Sequence, residues 1–246
     1  IYKEVKLGNN QGIFQFESAG ITALARDLDV ESFDELTAVS AMYRPGPLDL
    51  KDEFIRNKFH PKERTYAHKA LIPLLEETNG ILIFQEQIMF IAHHIGGMTL
   101  GEGDNLRKVM DNGSKIIAKK LRGETLTEDE DNNKSYKSYK ELWKKFIDGA
   151  VAKGLSAEDV TSIESWLIKY LGYSFNKSHS FSYTFLTVQT LYLRHYYPEE
   201  FFCSLLNHVK KGTGSDAKRK EEEWLTSAIM AAMNKGIEIL PPNRKS

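Results

Sequence analysis

Two predicted helices meet at the loop Gly172-Tyr173-Ser174-Phe175-Asn176-Lys177-Ser178-His179-Ser180. Before this loop, Ser156 with Asp159 three residues later is a helix start signal, and apolar residues follow at helical spacing until Gly172 ends the helix. After the loop, apolar and aromatic residues again recur with a period of 3.6 until Pro198, at Phe181, Phe185, Val188, Tyr192 and Tyr196. The nine residues are therefore predicted to form a loop that enters a helix N-terminus.

Such a junction is chemically suited to hold phosphate oxygens, because a helix start offers unpaired backbone N–H groups and a partial positive charge. Lys177, Ser178 and His179 bring polar side chains into the helix start, and Tyr173 adds a flat ring at the edge of the loop. The alternative is structural: Ser178 caps the helix, Lys177 is solvated and Tyr173 packs. The pattern alone favours the structural alternative.

The composition is that of a soluble globular chain. Of its 246 residues, 41% are hydrophobic and 27% are charged, which suits one domain or two small lobes, and no apolar run is long enough to span a membrane. The net charge of −1 means that any contact with nucleic acid must be local. The single cysteine, Cys203, excludes an internal disulfide and favours a reducing compartment, so a cytoplasmic location is predicted.

Helical periodicity dominates the chain, and strand signals are few outside the first dozen and the last ten residues. The predicted fold class is therefore mainly α, with short irregular or β segments at the two ends. Residues 81–95 are apolar almost all round and are predicted to form a buried helix whose embedded Gln85, Glu86 and Gln87 need partners. Another helix is predicted from about Tyr139 to Lys153.

Two stretches suggest breaks in the organisation. The flexible sequence Gly212-Thr213-Gly214-Ser215 separates a predicted helical domain, residues 1–211, from a C-terminal helix and the start of a further segment, residues 212–246. Residues of about 123–135 are acidic and almost without apolar side chains, and are predicted to be a solvated, mobile insertion.

A charged stripe lies on the helix predicted to start at Thr99. Asp104, Arg107, Lys108 and Asp111 are spaced i, i+3, i+4 and i+7, which favours two surface ion pairs that contribute only a few tenths of a kcal/mol each. Further along the same helix, basic residues are in excess and are suited to neutralising DNA phosphates; they include Lys115, Lys119 and Lys120.

The histidines do not predict a metal site. His60, His68, His93 and His94 lack the spacing of a zinc site, because adjacent helical positions diverge by about 100° and no cysteine pair accompanies them. No metal ligand is predicted in this chain.

Six blocks of sequence together resemble one family. They are, in order, Gly12-Ile13-Phe14-Gln15-Phe16-Glu17-Ser18, Tyr43-Arg44-Pro45-Gly46-Pro47, Gly80-Ile81 through Phe84-Gln85-Glu86-Gln87, Thr99-Leu100-Gly101 with Leu106-Arg107-Lys108, the loop 172–180 with its aromatic-rich helix, and Leu240-Pro241-Pro242. This set is similar to the fingers region of the C-family replicative DNA polymerases, the bacterial DNA polymerase III alpha subunits.

The resemblance implies roles for particular residues. Arg107 matches a family position at which a basic pair reaches the triphosphate of the incoming nucleotide, whereas Lys108 departs from the usual second arginine and loses its planar fork. It further implies that the loop binds dNTP or pyrophosphate, with Lys177 and His179 at the leaving pyrophosphate, Tyr173 stacking at the nascent base pair, and Asn176 and Ser178 beside them. Residues near the cleft would be Gln15, Glu17, Arg44 and Gln85, although Arg44 is equally explained as a partner of a helix C-terminus.

The same resemblance implies a fingers domain, excised or separately encoded, of a DNA-directed DNA polymerase. The family's catalytic carboxylates belong to the palm, upstream of the fingers, so no catalytic residue is expected here and the isolated chain is expected to be inactive. Mg²⁺ is expected for the complete polymerase, with none bound by this chain. The implied partners are primer–template DNA, dNTP and the rest of the polymerase, meaning its palm, thumb and C-terminal regions.

Two alternatives stay open. A stand-alone helical module that binds single-stranded DNA would use Tyr173, Phe181 and the basic stretch. A helical module that binds a protein partner would account for the helices and the near-zero net charge, and would predict that Arg107 and Lys177 lie far apart.

Overall fold

The computed structural model describes residues 1–209 and 215–240. Within these ranges the chain is helical and forms no sheet, and one isolated parallel bridge joins Phe84 to Phe175. The helices are α1 (Tyr2–Lys6), α2 (Ala19–Asp27), α3 (Phe33–Met42), α4 (Lys51–Phe59), α5 (Ile72–Leu75), α6 (Gln85–His94), α7 (Leu100–Leu121), α8 (Glu128–Asp131), α9 (Lys134–Ala152), α10 (Ala157–Tyr170), α11 (Lys177–Tyr196), α12 (Pro198–Asn207) and α13 (Ser215–Asn234). The mainly α class predicted from the sequence is confirmed.

Contacts divide the chain into two compact units. The central unit is Ala41–Ser180, and the terminal unit combines Ile1–Ser40 with Phe181–Ser246. The domain boundary predicted at residues 211 and 212 lies outside the described residues, and it stays a prediction.

The core of the central unit lies where α6, α7 and α9 pack together. Helix α7 buries Leu106 and Met110, while Val109 is only half-buried. Helix α9 contributes stacked aromatic rings, at Tyr136, Tyr139, Trp143 and Phe146. A large share of the hydrophobic stabilisation of this unit therefore comes from three helices that follow one another closely in sequence.

A glycine contact sets how closely α9 approaches the turn after α6. A Cβ atom built on Gly149 would lie 1.9 Å from the carbonyl oxygen of Gly96. Any side chain at Gly149 would push the helix away from that turn, so glycine is required at this crossing.

The buried helix predicted over residues 81–95 is shorter than expected. Helix α6 begins only at Gln85, because Phe84 pairs with Phe175 and the Gln87 side-chain oxygen accepts hydrogen bonds from the backbone N–H groups of Ile83 and Phe84, both at 2.9 Å. The Gln87 amide donates to Thr78 Oγ1 at 2.7 Å. The expectation that this buried glutamine has partners is thus confirmed.

The acidic stretch contains regular structure, where the sequence predicted only a solvated loop. Thr127 and Glu130 form a capping box around the short helix α8, and the Glu130 carboxylate pairs with Lys119 at 2.7 Å. Asn133 then caps α9, which therefore begins at Lys134 rather than at Tyr139. Local capping chemistry accounts for both corrections.

The terminal unit begins with helix α1 and turns, where short irregular or β structure was expected. Its first residues are bound to α11 by hydrogen bonds. Thr187 Oγ1 donates to the carbonyl of Phe14, the Phe14 N–H donates to Thr190 Oγ1, and the Arg194 guanidinium donates to the carbonyl of Gln11, each at 3.1 Å. The face of α11 that turns inward is consequently polar except at Leu191.

The aromatic residues of α11 lie on its outer side. Their period was predicted correctly, but the buried positions of the helix are Ser180, Thr184, Thr187, Leu191 and Arg194. Across the parts of the chain that the structure describes, no helix is both long and apolar enough to cross a membrane.

Candidate functional site

The loop that precedes α11 is anchored through its backbone. The N–H of Phe175 donates to the carbonyl of Ile83, and the N–H of Gln85 donates to the carbonyl of Phe175, both at 2.8 Å. The Gln85 side chain is half-buried. The segment before α6 therefore fixes where α11 begins.

Arg44 binds the same loop from another side. Its Nη2 donates to the carbonyl of Tyr173 at 3.1 Å, and its guanidinium lies 4.1 Å from the centre of the Phe175 ring. Its Nε donates to the carbonyl of Ala41 at 2.7 Å, in the last turn of α3, so Arg44 also serves the helix C-terminus. Burial lowers the pKa of Arg44.

The Tyr173 ring lies against Gly46. A Cβ atom on Gly46 would approach the Tyr173 ring to 2.9 Å, and Gly46 has a φ of +94° that side chains rarely adopt. The turn at Arg44 to Gly46 therefore shapes the edge of the loop on which Tyr173 lies.

The first backbone amides of α11 bind carboxylate and amide oxygens. The N–H of Lys177 donates to Glu86 Oε2 at 2.9 Å, and the N–H of His179 donates to Asn176 Oδ1 at 2.8 Å. Asn176 is thus the residue that caps the helix, and the structural alternative of a Ser178 cap is wrong. Ser178 and His179 lie in the first turn.

The Lys177 side chain is paired within the central unit. Its Nζ lies 2.5 Å from Glu77 Oε1 and 5.5 Å from the centre of the Phe84 ring. The His179 ring meets the Phe175 ring edge to face, with ring centres 5.4 Å apart. The start of α11 therefore already holds two carboxylates, from Glu77 and Glu86.

Arg107 is held between two carboxylates of its own helix. Its Nη2 lies 2.9 Å from Asp104 Oδ1 and its Nη1 lies 3.0 Å from Asp111 Oδ2, while Lys108 Nζ lies 2.7 Å from Asp104 Oδ2. The Arg107 side chain is 13% exposed, whereas that of Lys108 is 56% exposed. The ion pairs predicted from the i, i+4 spacing are present, and Asp104 joins both cations.

The two carboxyl groups beside Arg107 differ in their titration. Hydrogen bonds from Lys108 and Arg107 lower the pKa of Asp104. Burial raises the pKa of Asp111, and this effect outweighs the opposing ones of Arg107 and of the backbone amide of Gly172. Because the Gly172 amide faces the Asp111 carboxyl group, the charged stripe of α7 lies next to the start of the loop.

The structure therefore brings several predicted residues together in the central unit. They are Arg107 and Lys108 on α7, the loop with Tyr173, Asn176, Lys177, Ser178 and His179, and Arg44 and Gln85 beside that loop. Arg107 is connected to the start of the loop through Asp111, whose carboxyl group lies beside the backbone amide of Gly172. The functional roles of all these residues stay predictions.

Gln15 and Glu17 belong to the terminal unit. Glu17 Oε1 accepts hydrogen bonds from the Gly12 N–H at 2.7 Å and from Trp224 Nε1 at 3.2 Å, which gives it a structural role in that unit. Gln15 is exposed, with a left-handed φ of 60°. Their predicted place near a cleft stays a prediction.

The basic residues proposed for DNA lie on the second half of α7. Lys115 and Lys120 are exposed, but Lys119 is paired with Glu130. Among residues 1–209 and 215–240, no group of three or more His, Cys, Asp or Glu side chains is arranged to hold a metal ion.

The sequence did not reveal that Glu77 and Glu86 bind the start of α11. Glu86 lies 91 positions before Lys177 in the sequence, and Glu77 lies still further away, so no local spacing points to either contact. The only local signal was the position of Glu86 within an apolar run, which required a partner for its carboxylate.

A family model and three individual relatives all relate this chain to bacterial DNA polymerase III alpha subunits. A sequence model of the bacterial DNA polymerase III alpha subunit finger domain matches residues 1–133. The DNA polymerase III alpha subunit of Aquifex aeolicus is 36% identical over 245 residues, or 99% of this chain, and that of Campylobacter jejuni is 35% identical over 245 residues, also 99% of this chain. The subunit of Halalkalibacterium halodurans is 34% identical over 236 residues, or 96% of this chain. The chain spans 18% of the length of each of these relatives.

Proposed function

Since the chain belongs to the family of bacterial DNA polymerase III alpha subunit finger domains, we propose that its central unit binds the triphosphate of an incoming dNTP during DNA synthesis. The observation that carries this proposal is the position of Arg107. Its guanidinium is largely buried, is oriented by two carboxylates, and lies on the part of α7 that faces the loop before α11.

The carboxylates around Arg107 support a phosphate-binding role. A guanidinium binds carboxylate and phosphate oxygens with the same planar fork. Asp104 and Asp111 accept three of its five N–H donors, from Nε, Nη1 and Nη2, so they fix the plane of the guanidinium while its other two N–H groups can bind phosphate oxygens. Lys108, which is more exposed, adds a mobile point charge beside it. Arg107 and Lys108 together bind the β and γ phosphates.

The start of α11 supports the same proposal. The Glu86 carboxylate accepts from the backbone N–H of Lys177 at the helix N-terminus, and the Glu77 carboxylate pairs with the Lys177 side chain. Both are positions at which positive charge attracts anionic oxygens. A partly exposed ion pair contributes at most about 1 kcal/mol, so a triphosphate can exchange with the Glu77 carboxylate at small cost. Lys177 carries the main charge at the leaving pyrophosphate, with Asn176, Ser178 and His179 beside it.

The Tyr173 ring is suited to stack at the nascent base pair. Its position on Gly46 and the hydrogen bond from Arg44 to its carbonyl hold it on one edge of the loop. Lys115 and Lys120 are exposed and contact the backbone of primer–template DNA. Lys119 contributes less to this contact because it is paired with Glu130.

The carboxylates that lie closest to Arg107 are already used in ion pairs. Asp104 and Asp111 are engaged with Arg107, and the described residues hold no cluster of three carboxylate or imidazole groups. We propose that Mg²⁺ is held by carboxylates elsewhere in the complete polymerase, and that the isolated chain does not polymerise. A polymerase assay of the chain alone, and of the same chain within the alpha subunit, checks the second statement.

Substitution of Arg107 in the complete alpha subunit tests the triphosphate site. Arg107→Ala is expected to raise the KM for dNTP and to lower turnover, with a combined loss in kcat/KM of about a hundredfold, because charge-assisted contacts to the transferring group are lost. Arg107→Lys should recover part of this loss.

The matched control is Arg26→Ala. Arg26 is also an arginine in an ion pair, with Asp27 at 3.7 Å, but it lies in the terminal unit and is exposed. Its removal should leave the kinetics unchanged. Unchanged kinetics for Arg107→Ala would refute the proposed role.

A further inference from the structure

Helix α11 exposes an aromatic strip, made of Phe181, Phe185, Tyr192 and Tyr196. At 100° per residue these four positions lie within about 60° of one another around the helix. These four residues are between 46% and 57% exposed, and Leu186 and Leu193 are exposed beside them. Contiguous exposed apolar surface of this kind marks an interaction site in a soluble protein.

Helix α11 buries polar side chains on its inner face while its aromatic side chains are exposed. Thr184 is fully buried and its hydroxyl has no hydrogen-bond partner within the described residues, and Arg194 is also buried. Hydrogen bonds to the first residues of the chain account for the inward side chains of Thr187 and Arg194, but not for the buried Thr184 hydroxyl or for aromatic rings left in water, both of which are unfavourable.

The aromatic strip continues into a cavity of about 670 Å³ in the terminal unit. Tyr197 lines this cavity, and its ring centre lies 6.3 Å from that of Tyr192 in the strip. The apolar lining also includes Leu193, Phe201, Leu205 and Trp224, and three carboxylates lie in the same lining, from Glu17, Glu200 and Glu221. The strip and the cavity thus form one surface that is apolar along its length and acidic at one end.

The charges on this surface favour a protein occupant over a nucleic acid. Sites that bind single strands surround their aromatic residues with Lys and Arg, whereas the residues between the rings of the strip include Ser182 and Gln189, and Arg194 is turned inward. The carboxylates of the cavity would repel phosphates. They would attract a segment that carries Lys or Arg.

The family supplies a source for such a segment. The chain spans 18% of the length of the Aquifex aeolicus alpha subunit, so most of that polypeptide lies outside the matched region. A segment in the same polypeptide acts at a high effective concentration and needs only modest affinity to stay bound.

We propose that the aromatic strip and the adjoining cavity are the docking surface for another segment of the polymerase alpha subunit, outside these 246 residues. The segment is amphipathic: apolar side chains cover the strip and enter the cavity, and a Lys or Arg faces the carboxylates. This inference rests on family membership and does not depend on nucleotide binding at Arg107.

Photo-crosslinking in the complete alpha subunit tests the proposal. With p-benzoylphenylalanine in place of Phe185, irradiation of dilute protein without DNA should give an intrachain cross-link, and mass spectrometry should locate it outside the present sequence. Cross-links confined to this sequence, cross-links between two copies, cross-links that need DNA, or no cross-link at all would each overturn it.

Hydroxyl-radical labelling of the unsubstituted alpha subunit provides a second measurement that needs no variant. If the four rings are covered, each should be labelled at least about fivefold more slowly in the native protein than in the unfolded one. Half-exposed rings should slow by only about twofold. That smaller slowing, or protection that depends on protein concentration or DNA, would contradict the proposal.

Discussion

Helices α7 and α11 have nearly the same length, 22 and 20 residues, and each carries an apolar stripe along one side. In α7 the apolar stripe is buried against α6 and α9, and the ion pairs around Arg107 lie on another side of the helix, where they are partly buried. In α11 the relation is reversed: the hydroxyls and Arg194 turn inward to bind the first residues of the chain, and the aromatic rings face outward. A period of 3.6 therefore predicts that a stripe exists, but what the rest of the structure offers decides which way it faces.

The largest expected difference between the two helices is in the free energy of unfolding. Met110→Ala removes a fully buried side chain of α7 and should destabilise the central unit by about 2–5 kcal/mol, because a cavity is left in a packed core. Phe185→Ala, on the exposed side of α11, should cost less than about 1 kcal/mol in the 246-residue chain. Native-state hydrogen exchange of the amides in each helix measures both changes without assuming that the units unfold together.

A comparable loss of stability for the two substitutions would contradict the proposed difference between α7 and α11. It would mean that Phe185 is packed inside this chain, and the docking surface proposed for α11 would lose its basis.

An intermediate effect is expected on the inner face of α11. Thr187→Val removes the hydroxyl that donates to the Phe14 carbonyl and should cost about 1 kcal/mol. Thr184→Val removes a buried hydroxyl without a partner among the described residues and should be neutral or slightly stabilising. Hydrogen exchange of the α11 amides compares the two variants, and equal costs would show that the hydrogen bond to Phe14 does not orient the helix.

The smallest expected effect concerns pH and the charged face of α7. Burial raises the pKa of Asp111 above its ordinary value of 3.8, so its contribution to stability is present below that value and is lost as pH rises through the raised pKa. Asp111→Asn prevents this pH-dependent loss of stability, because an amide does not ionise, while the amide oxygen of the asparagine can still accept a hydrogen bond from Arg107. The variant should therefore gain stability relative to the parent as pH rises above the ordinary pKa of an aspartate, by less than about 1 kcal/mol.

Urea unfolding of the parent and of Asp111→Asn, measured at several pH values, provides the test. A variant that loses stability as pH rises would show that the ion pair with Arg107 outweighs burial.

Features set by a few neighbouring residues could be predicted from the sequence. The capping boxes of Thr99 with Glu102 and of Ser156 with Asp159 start α7 and α10 as expected. The ion pairs of Arg107 and Lys108 followed from i, i+4 spacing. Such motifs are decided within one helical turn, so tertiary context alters them little.

Features set by distant contacts could not be predicted. The apolar run before Gln85 was assigned to a helix because periodicity does not separate a short buried extended segment from a buried helix. The proximity of Asp111 to Gly172, and of Glu77 and Glu86 to Lys177, depends on the folding of the central unit. The resemblance to a polymerase family indicated that these parts meet, but the residue contacts required the structure.

The central claim is that the guanidinium of Arg107 binds the terminal phosphates of the nucleotide, and the affinities of dNTP and dNDP test it most directly. They are measured with the complete alpha subunit on a primer that ends in a dideoxynucleotide, so that binding occurs without reaction. For Arg107→Ala, the affinity for dNTP is expected to fall by about tenfold or more, and that for dNDP by clearly less, so the preference for the triphosphate narrows. An equal loss for both nucleotides, or no loss for either, would contradict the account.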